Sequence, residues 1–402
     1  MRLFTDVLCR VAAAGGLILT LTAPAWAQSK QIIGGANATL PFSAAVKADG
    51  FIYVSGMIGG PSGVSGDVRA QTRDTLAAID ATLKTAGSSL ARAASVTVYL
   101  RHQADVAAMN EVYAGFFAAD PPARTTVIVT QPLANPDGLV EISAIGVPNG
   151  AERTVVHPAG WVKSPAPYSY AIKSGNTVFL AGLVSRNGRD NTAVAGDLAA
   201  QTRVVMDNAA EILEAAGMGW RDVVASRVWY NADSNQALNQ VYATYFEGVA
   251  PPVRAAVRVG LTSPDYLVEV TLTAVKDPSR RQIVPPNADG TPGRAGNLLS
   301  PTIQVGNRLY IAGMLGNTAG NRGDARAQTA EALARIGRAL TAAGYDWSHV
   351  VDALVYLPDI TKFQDMNAAY REVFTRDFPA RATIGAGLGG EALVEIMFTA
   401  VK

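Results

Sequence analysis

Apolar residues alternate with small or polar ones at 51–56, in Phe51-Ile52-Tyr53-Val54-Ser55-Gly56. The pattern returns in Val178-Phe179-Leu180-Ala181-Gly182 and in Leu309-Tyr310-Ile311-Ala312-Gly313. Alternation of this kind predicts a strand, here one that ends at a glycine. A glycine-rich loop follows in each place, and the period then changes. From the Ala-Gln-Thr triplets around Gln71, Gln201 and Gln328, apolar residues fall at helical spacing, as in Leu76, Ile79 and Leu83. These helices should stop at Gly87, Gly217 and Gly344, the residue type that closes a helix most easily. A β-branched strand comes next (Ser95 to Leu100, Ser226 to Tyr230, Ala353 to Tyr356). A second helix then carries Asn110-x-x-Tyr113, Asn239-x-x-Tyr242 and Asn367-x-x-Tyr370. Two further strands close each copy, one opened by an arginine and one carrying a glutamate. Each copy thus reads as β-β-α-β-α-β-β, an α+β unit of about 125 residues.

The three glutamines lie 130 (201−71) and 127 (328−201) residues apart. That period is far longer than the roughly 20–50 residues of a solenoid repeat. Turn-forming clusters at Pro148-Asn149-Gly150 and Asp277-Pro278-Ser279 divide the chain into units 28–150, 151–278 and 279–402. The linkers are short, so the units are expected to pack on one another as a ring with equivalent boundaries, a monomeric pseudo-trimer. The stretch Pro285 to Gly296, rich in Pro, Gly, Asn and Asp, reads as a surface loop.

Residues 1–27 stand outside this scheme. Arg2 and Arg10 precede an apolar run from Val11 to Thr22, and Ala25-Trp26-Ala27 is a small-x-small cleavage site, so export with cleavage after Ala27 is expected. The protein would then be periplasmic or secreted. The alternative, an uncleaved anchor, has an apolar run that ends at Pro24, short of the roughly 20 residues a membrane span needs. Cys9 is the only cysteine and would leave with the leader, which excludes disulfides, thiolate catalysis and cysteine-ligated metal from the mature chain. Removing Arg2, Arg10 and Asp6 takes the formal charge from +1 to 0 (1−2+1). No clustered basic excess marks a nucleic-acid surface, so neither nucleic acid nor, after cleavage, membrane is an expected partner. His102, His157 and His349 share no repeat position, which argues against a metal site or a Ser-His-Asp triad.

The most informative repeat is charged. Arg124, Arg254 and Arg381 each stand two residues after a proline, and Glu141, Glu269 and Glu395 each lie inside an apolar run in the last strand. A guanidinium binds a carboxylate through two parallel hydrogen bonds, and a carboxylate can orient water and act as a general base. The competing reading is a structural Arg–Glu ion pair at each boundary. The helix tyrosines read as core packing. The helix asparagines read as caps or scaffold contacts, or as binding groups.

The strand–Ser-Gly, Ala-Gln helix, Asn-x-x-Tyr helix, Pro-x-Arg and strand-borne Glu together resemble the RidA/YjgF family of enamine and imine deaminases, also called L-PSP endoribonucleases. The resemblance spans about 31–147, 153–277 and 281–402. It implies three fused units of the chorismate mutase-like, RidA-like fold, with active clefts between units and no cofactor or metal. It implies that Arg124, Arg254 and Arg381 bind a substrate carboxylate and that Glu141, Glu269 and Glu395 position water, with Asn110, Asn239 and Asn367 beside them. The family's site tyrosine falls on Tyr168, with Phe42 and Leu299 in the other copies. Its strand-end serine falls on Ser55, with Ala181 and Ala312 elsewhere. The partner implied is a small carboxylate or imino acid, hydrolysed to a 2-keto acid and ammonia. A non-catalytic carboxylate binder and a ribonuclease are the alternatives.

Overall fold

The computed structural model describes residues 30–36, 40–60, 63–117 and 119–402; the leader expected at 1–27 lies outside them. The first unit comprises β1 (Gln31–Ala36), β2 (Ser43–Ala48), β3 (Phe51–Met57), α1 (Val68–Thr85), β4 (Ala93–Leu100), α2 (Val106–Phe116), β5 (Ala123–Ile128) and β6 (Val140–Gly146). The second comprises β7 (Thr154–Val156), β8 (Ala171–Ser174), β9 (Thr177–Leu180), β10 (Leu183–Val184), α3 (Leu198–Ala215), β11 (Val223–Tyr230), α4 (Gln236–Thr244), β12 (Val253–Arg258) and β13 (Val268–Val275). The third comprises β14 (Arg281–Ile283), β15 (Thr302–Val305), β16 (Arg308–Leu315), α5 (Ala325–Ala342), β17 (Val350–Leu357), α6 (Phe363–Val373), β18 (Ala380–Gly385) and β19 (Glu395–Val401).

Each unit is one mixed sheet with two helices. The first runs β1-β2-β3-β6-β4-β5, and the third repeats that order as β14-β15-β16-β19-β17-β18. β4 and β5 run parallel, which α2 makes possible as the crossover, and every other pair in that sheet is antiparallel. Each sheet has one edge strand more than the sequence pattern predicts, and the second has the two-residue β10 besides. β7 and β14 are three residues long, too short to show a period. The loop 285–299 between β14 and β15 carries no secondary structure and is largely exposed, as its composition predicts.

Helix ends follow local chemistry. Asp67, Asp197 and Asp324 cap α1, α3 and α5 by accepting from the backbone N–H three residues on. Gly87, Gly217 and Gly344 close them with φ of 82°, 72° and 77°, a conformation that costs glycine little.

The central strand explains the architecture. In β4, Val96, Val98 and Leu100 pack with Leu76, Ile79 and Leu83 of α1. Ser95, Thr97 and Tyr99 point the other way, into a cavity of about 90 Å³ shared by all three sheets. β4 is therefore buried on both faces. The three units meet around a pseudo-threefold axis that this cavity follows. Tyr99, Trp229 and Tyr356 occupy equivalent positions and close one end edge to face, with ring centroids 6.3 and 5.8 Å apart. One turn of strand away the equivalent residues are Thr97, Arg227 and Leu354, and beyond them Ser95, Ala225 and Asp352. Arg227 donates to Thr97 Oγ1 at 3.4 Å. Burial raises the Asp352 carboxyl to about 6 against the opposing pull of Arg227. Farther along, Arg308 holds the Asp49 carboxylate, donates to Thr177 Oγ1 at 2.7 Å and lies 4.7 Å from the Phe51 ring centre.

Serines join the units. Ser43, Ser169 and Ser300 donate their backbone N–H to Pro379, Pro122 and Pro252 of the neighbouring unit at 3.0, 3.1 and 3.0 Å. Ser43 and Ser169 add hydroxyl bonds of 2.6 Å to Phe378 and Pro121. Unit three docks on unit two, unit two on unit one, and unit one back on unit three, so the ring closes.

Candidate active clefts at the unit boundaries

Each arginine follows the proline segment gripped by the neighbouring serine, so the same joint that closes the ring places the cation. Arg124 pairs in register with Val96, Arg254 with Ser226 and Arg381 with Ala353. Each glutamate lies on the strand antiparallel to that central strand, opposite Tyr99, Trp229 or Tyr356. An arginine therefore faces the glutamate of the next unit, not its own. Arg124 and Glu269 line one cavity, of about 260 Å³, between units one and two. Arg381 and Glu141 line another, of about 270 Å³, between units three and one. Arg254 and Glu395 attract each other across the boundary of units two and three.

A repeated glycine makes room for each carboxylate. A Cβ on Gly56, Gly182 or Gly313 would sit 1.8, 1.8 or 1.9 Å from the Oε1 of Glu141, Glu269 or Glu395. The glycine that ends each predicted strand is thus a close-approach site, where the ladder is irregular between Val54 and Met57 and between Ile311 and Met314. The repeated glutamine has an equally definite task. Gln71 Nε2 donates to Gly66 and Asp137, while Oε1 accepts from Leu139 N–H at 2.7 Å. Gln201 and Gln328 repeat this clamp on Leu267 and Leu393. It ties the first helix to the loop that delivers the glutamate two residues later.

The side chains are buried but are not a closed ion pair. None of the Arg–carboxylate pairs within 4.0 Å among the described residues involves these six groups, so the structural salt bridge is not formed. Burial pushes Glu141, Glu269 and Glu395 up to about 8. It also lowers Arg124 and Arg254, and brings Arg381 down to about 10. Thr126 N–H donates to Glu269 Oε1 at 3.3 Å, and the Thr383 backbone serves Glu141 in the same way. Arg124 Nη1, Thr126 Oγ1 and Thr383 Oγ1 are buried with no protein partner, donors available to a ligand.

The helix tyrosines do more than pack. The guanidinium carbons of Arg124, Arg254 and Arg381 lie 4.6, 4.4 and 4.8 Å from the ring centres of Tyr113, Tyr242 and Tyr370. The asparagine one helical turn earlier shares that face. Asn239 and Asn367 accept from Arg254 and Arg381 at 2.8 Å each. Asn110 lines its cleft, and its Oδ1 is buried without a partner. Tyr168 reaches across the boundary to Arg124, with its ring centre 5.8 Å from the guanidinium. Phe42 and Phe363 flank Arg381 at 5.1 and 5.7 Å. Ser55 is committed to the unit joint. Its hydroxyl donates to Ser43 O and accepts from Arg381 N–H at 2.8 Å.

A closed ring of three α+β units, each boundary holding a buried arginine and the next unit's carboxyl, defines a fused trimer of small-ligand clefts. The chain belongs to the Endoribonuclease L-PSP family, the RidA/YjgF family, which matches residues 34–147, 161–276 and 292–402. A RutC family protein of Pyrococcus horikoshii is 42% identical over 117 residues, 29% of this chain and 91% of the relative. The 3-aminoacrylate deaminase RutC of Acinetobacter baylyi is 35% identical over 123 residues, 30% of this chain and 97% of its own length. The crystal structure of a chorismatase superposes on 77% of this chain and 93% of its own, with a TM-score of 0.51 and 14% identity, a likeness of fold alone.

Proposed function

We propose that the chain is an exported hydrolase that deaminates 2-imino and enamine acids to 2-keto acids and ammonia in its inter-unit clefts. The observation that carries this reading is the buried carboxyl of the next unit held opposite, but not closed onto, each arginine. A substrate carboxylate occupies the arginine in a bidentate pose and sets the imine carbon against the glutamate. The ionised glutamate removes a proton from water as the oxygen bonds to the imine carbon, and the C=N electron pair moves to nitrogen. The proton then passes from the glutamate to that nitrogen, giving a carbinolamine. Its hydroxyl proton next moves, by way of the same carboxylate, to the nitrogen as the C–N bond breaks and the C=O bond forms, and the keto acid and ammonia leave. A pKa of about 8 suits a group that must both take and give a proton near neutrality. The deaminase named among the relatives acts on an enamine acid, which supports the substrate class.

The assay generates iminopyruvate in situ and follows its loss with purified protein. Acceleration that disappears in the R124A/R254A/R381A variant is the expected result. No acceleration, or acceleration untouched by that variant, sinks the reading, and arginine-dependent ligand binding without turnover would make the clefts binding sites only. Export is tested by mass spectrometry of protein recovered from its native cell envelope. A chain beginning at Gln28 is expected, and a full-length chain found only in the cytosol is the contrary result.

A further inference from the structure

The clefts differ at two positions that neither the arginine nor the glutamate predicts. Counting from the repeated glycine, Arg186 of unit two stands where the other units have Gly60 and Asn317. Counting from the repeated leucine before the glutamate, Tyr266 stands where they have Gly138 and Ala392. Arg186 and Tyr266 line the same cleft as Arg124, together with Tyr168, Ser164 and Thr262. Arg186 donates to the Tyr266 hydroxyl and, at 2.8 Å, to Asn191 Oδ1, and it also reaches the Asn191 carbonyl. Those three bonds leave donors on a guanidinium that carries five N–H groups. Tyr168 lines the cleft with both cations, and their charges oppose the rise that burial gives its hydroxyl. Among the described residues Glu269 is the only acidic side chain on this wall, and burial raises its carboxyl to about 8. The cleft thus sets a buried guanidinium, Arg124, and a partly buried one, Arg186, whose hydrogen-bond partners are neutral, on one wall, an arrangement that complements a dianion.

The Arg381 cleft has the opposite character. Leu40, Phe42, Ile58 and Phe363 surround a single guanidinium in a cavity of similar size. One arginine with an apolar wall suits a monocarboxylate with an apolar side chain.

Resting on the deaminase reading above for the chemistry but not for the binding, we infer that one chain divides its substrates between clefts. The Arg124 cleft takes 2-imino or 2-keto acids with a second carboxylate, held by Arg186. The Arg381 cleft takes those with a branched or aromatic side chain.

The test is calorimetry on the full chain with two stable keto acids, 2-oxoglutarate and phenylpyruvate, in an R254A background that removes the third cleft, comparing R254A alone with the addition of R124A, R186A or R381A. 2-Oxoglutarate affinity is expected to fall at least about tenfold in R124A and in R186A and to hold in R381A. Phenylpyruvate should behave in reverse, lost in R381A and retained in R124A and R186A. Its binding also reports whether R186A is folded, alongside a thermal melt. Unchanged 2-oxoglutarate binding in R186A overturns the assignment. So does equal loss of both ligands in that variant, which would make Arg186 a loop anchor. If the two ligands separate as expected but no imine is turned over, the deaminase reading fails while the division of clefts stands.

Discussion

Replacing Gly182 by alanine tests whether the position of the glutamate, and not merely its presence, governs a cleft. The new Cβ would lie 1.8 Å from Glu269 Oε1, 2.7 Å from Cδ and 3.0 Å from Cγ. Restoring van der Waals contact requires the carboxylate to move by about 1.5 Å. The strand cannot yield instead, because Glu269 is held in register opposite both Val184 and Trp229. The side chain must therefore swing away, breaking its 3.3 Å bond from Thr126 N–H. Overpacking of this kind costs about 1–3 kcal/mol of stability. A displacement of an ångström or more at a positioned group costs about 10²-fold in rate. The assay isolates one cleft by working in an R254A/R381A background, where Arg124 alone remains, and compares kcat/KM for an in situ imino acid with and without G182A. G219A is the control, since a Cβ there meets nothing within 4 Å and the backbone is extended at φ −150°. Full activity in the G182A background, with E269Q inactive in the same background, would refute the argument that the glycine sets the carboxylate.

Further expectations follow from the same geometry. A glutamate that must be ionised to activate water, with its pKa at about 8, predicts kcat/KM rising roughly tenfold between pH 7 and 9, a rise E269Q abolishes at its own cleft. For stability the sign is the reverse. The folded carboxyl keeps its proton up to about 8 while the unfolded one loses it near 4.5, so the favourable contribution is complete below pH 4.5 and gone above pH 8. Denaturant midpoints for E269Q should be flatter than wild type across that window. N239A and N367A leave a buried guanidinium donor unpaired and should weaken ligand affinity at those clefts about tenfold by calorimetry, whereas N110A, which makes no such bond, should change Arg124-dependent binding little. W229A empties the aromatic layer between Tyr99 and Tyr356 and should lower unfolding free energy by about 3–5 kcal/mol in urea melts.

Much of this was legible because the chain states it three times. Repetition in register exposed the helices, the α+β order, and the arginine and glutamate, since periodicity and charge survive in a linear pattern. What was hidden is whatever depends on which unit faces which. Arg124 meeting Glu269 rather than Glu141 is a property of ring closure, and no spacing along the chain contains it. Ser43, Ser169 and Ser300 recur as faithfully as the arginines, yet a lone serine in a loop carries no chemistry until the neighbouring proline carbonyl is seen. Tyr113, Tyr242 and Tyr370 read as core and are buried, but the cation over each ring comes from the strand that follows the helix. Gln71 and its counterparts looked like helix residues, and their clamp on the glutamate loop is a contact across 68 residues. Edge strands β7 and β14 were missed because three residues cannot display alternation.

The axial cavity shows what joining the units by peptide bonds permits. In a trimer of identical chains every residue on the axis occurs three times, so an arginine there brings three guanidinia together. Here the axis holds one Arg227, facing a threonine and a leucine, and one Asp352, facing a serine and an alanine. A single substitution in this gene alters one position on the axis or one boundary, and leaves the other two as they were. A homotrimer must accept every change in triplicate, so an altered cleft replaces the old one. The fused chain can keep a working copy while another is reshaped, and its units do differ at one such place, where Arg186 stands opposite Gly60 and Asn317.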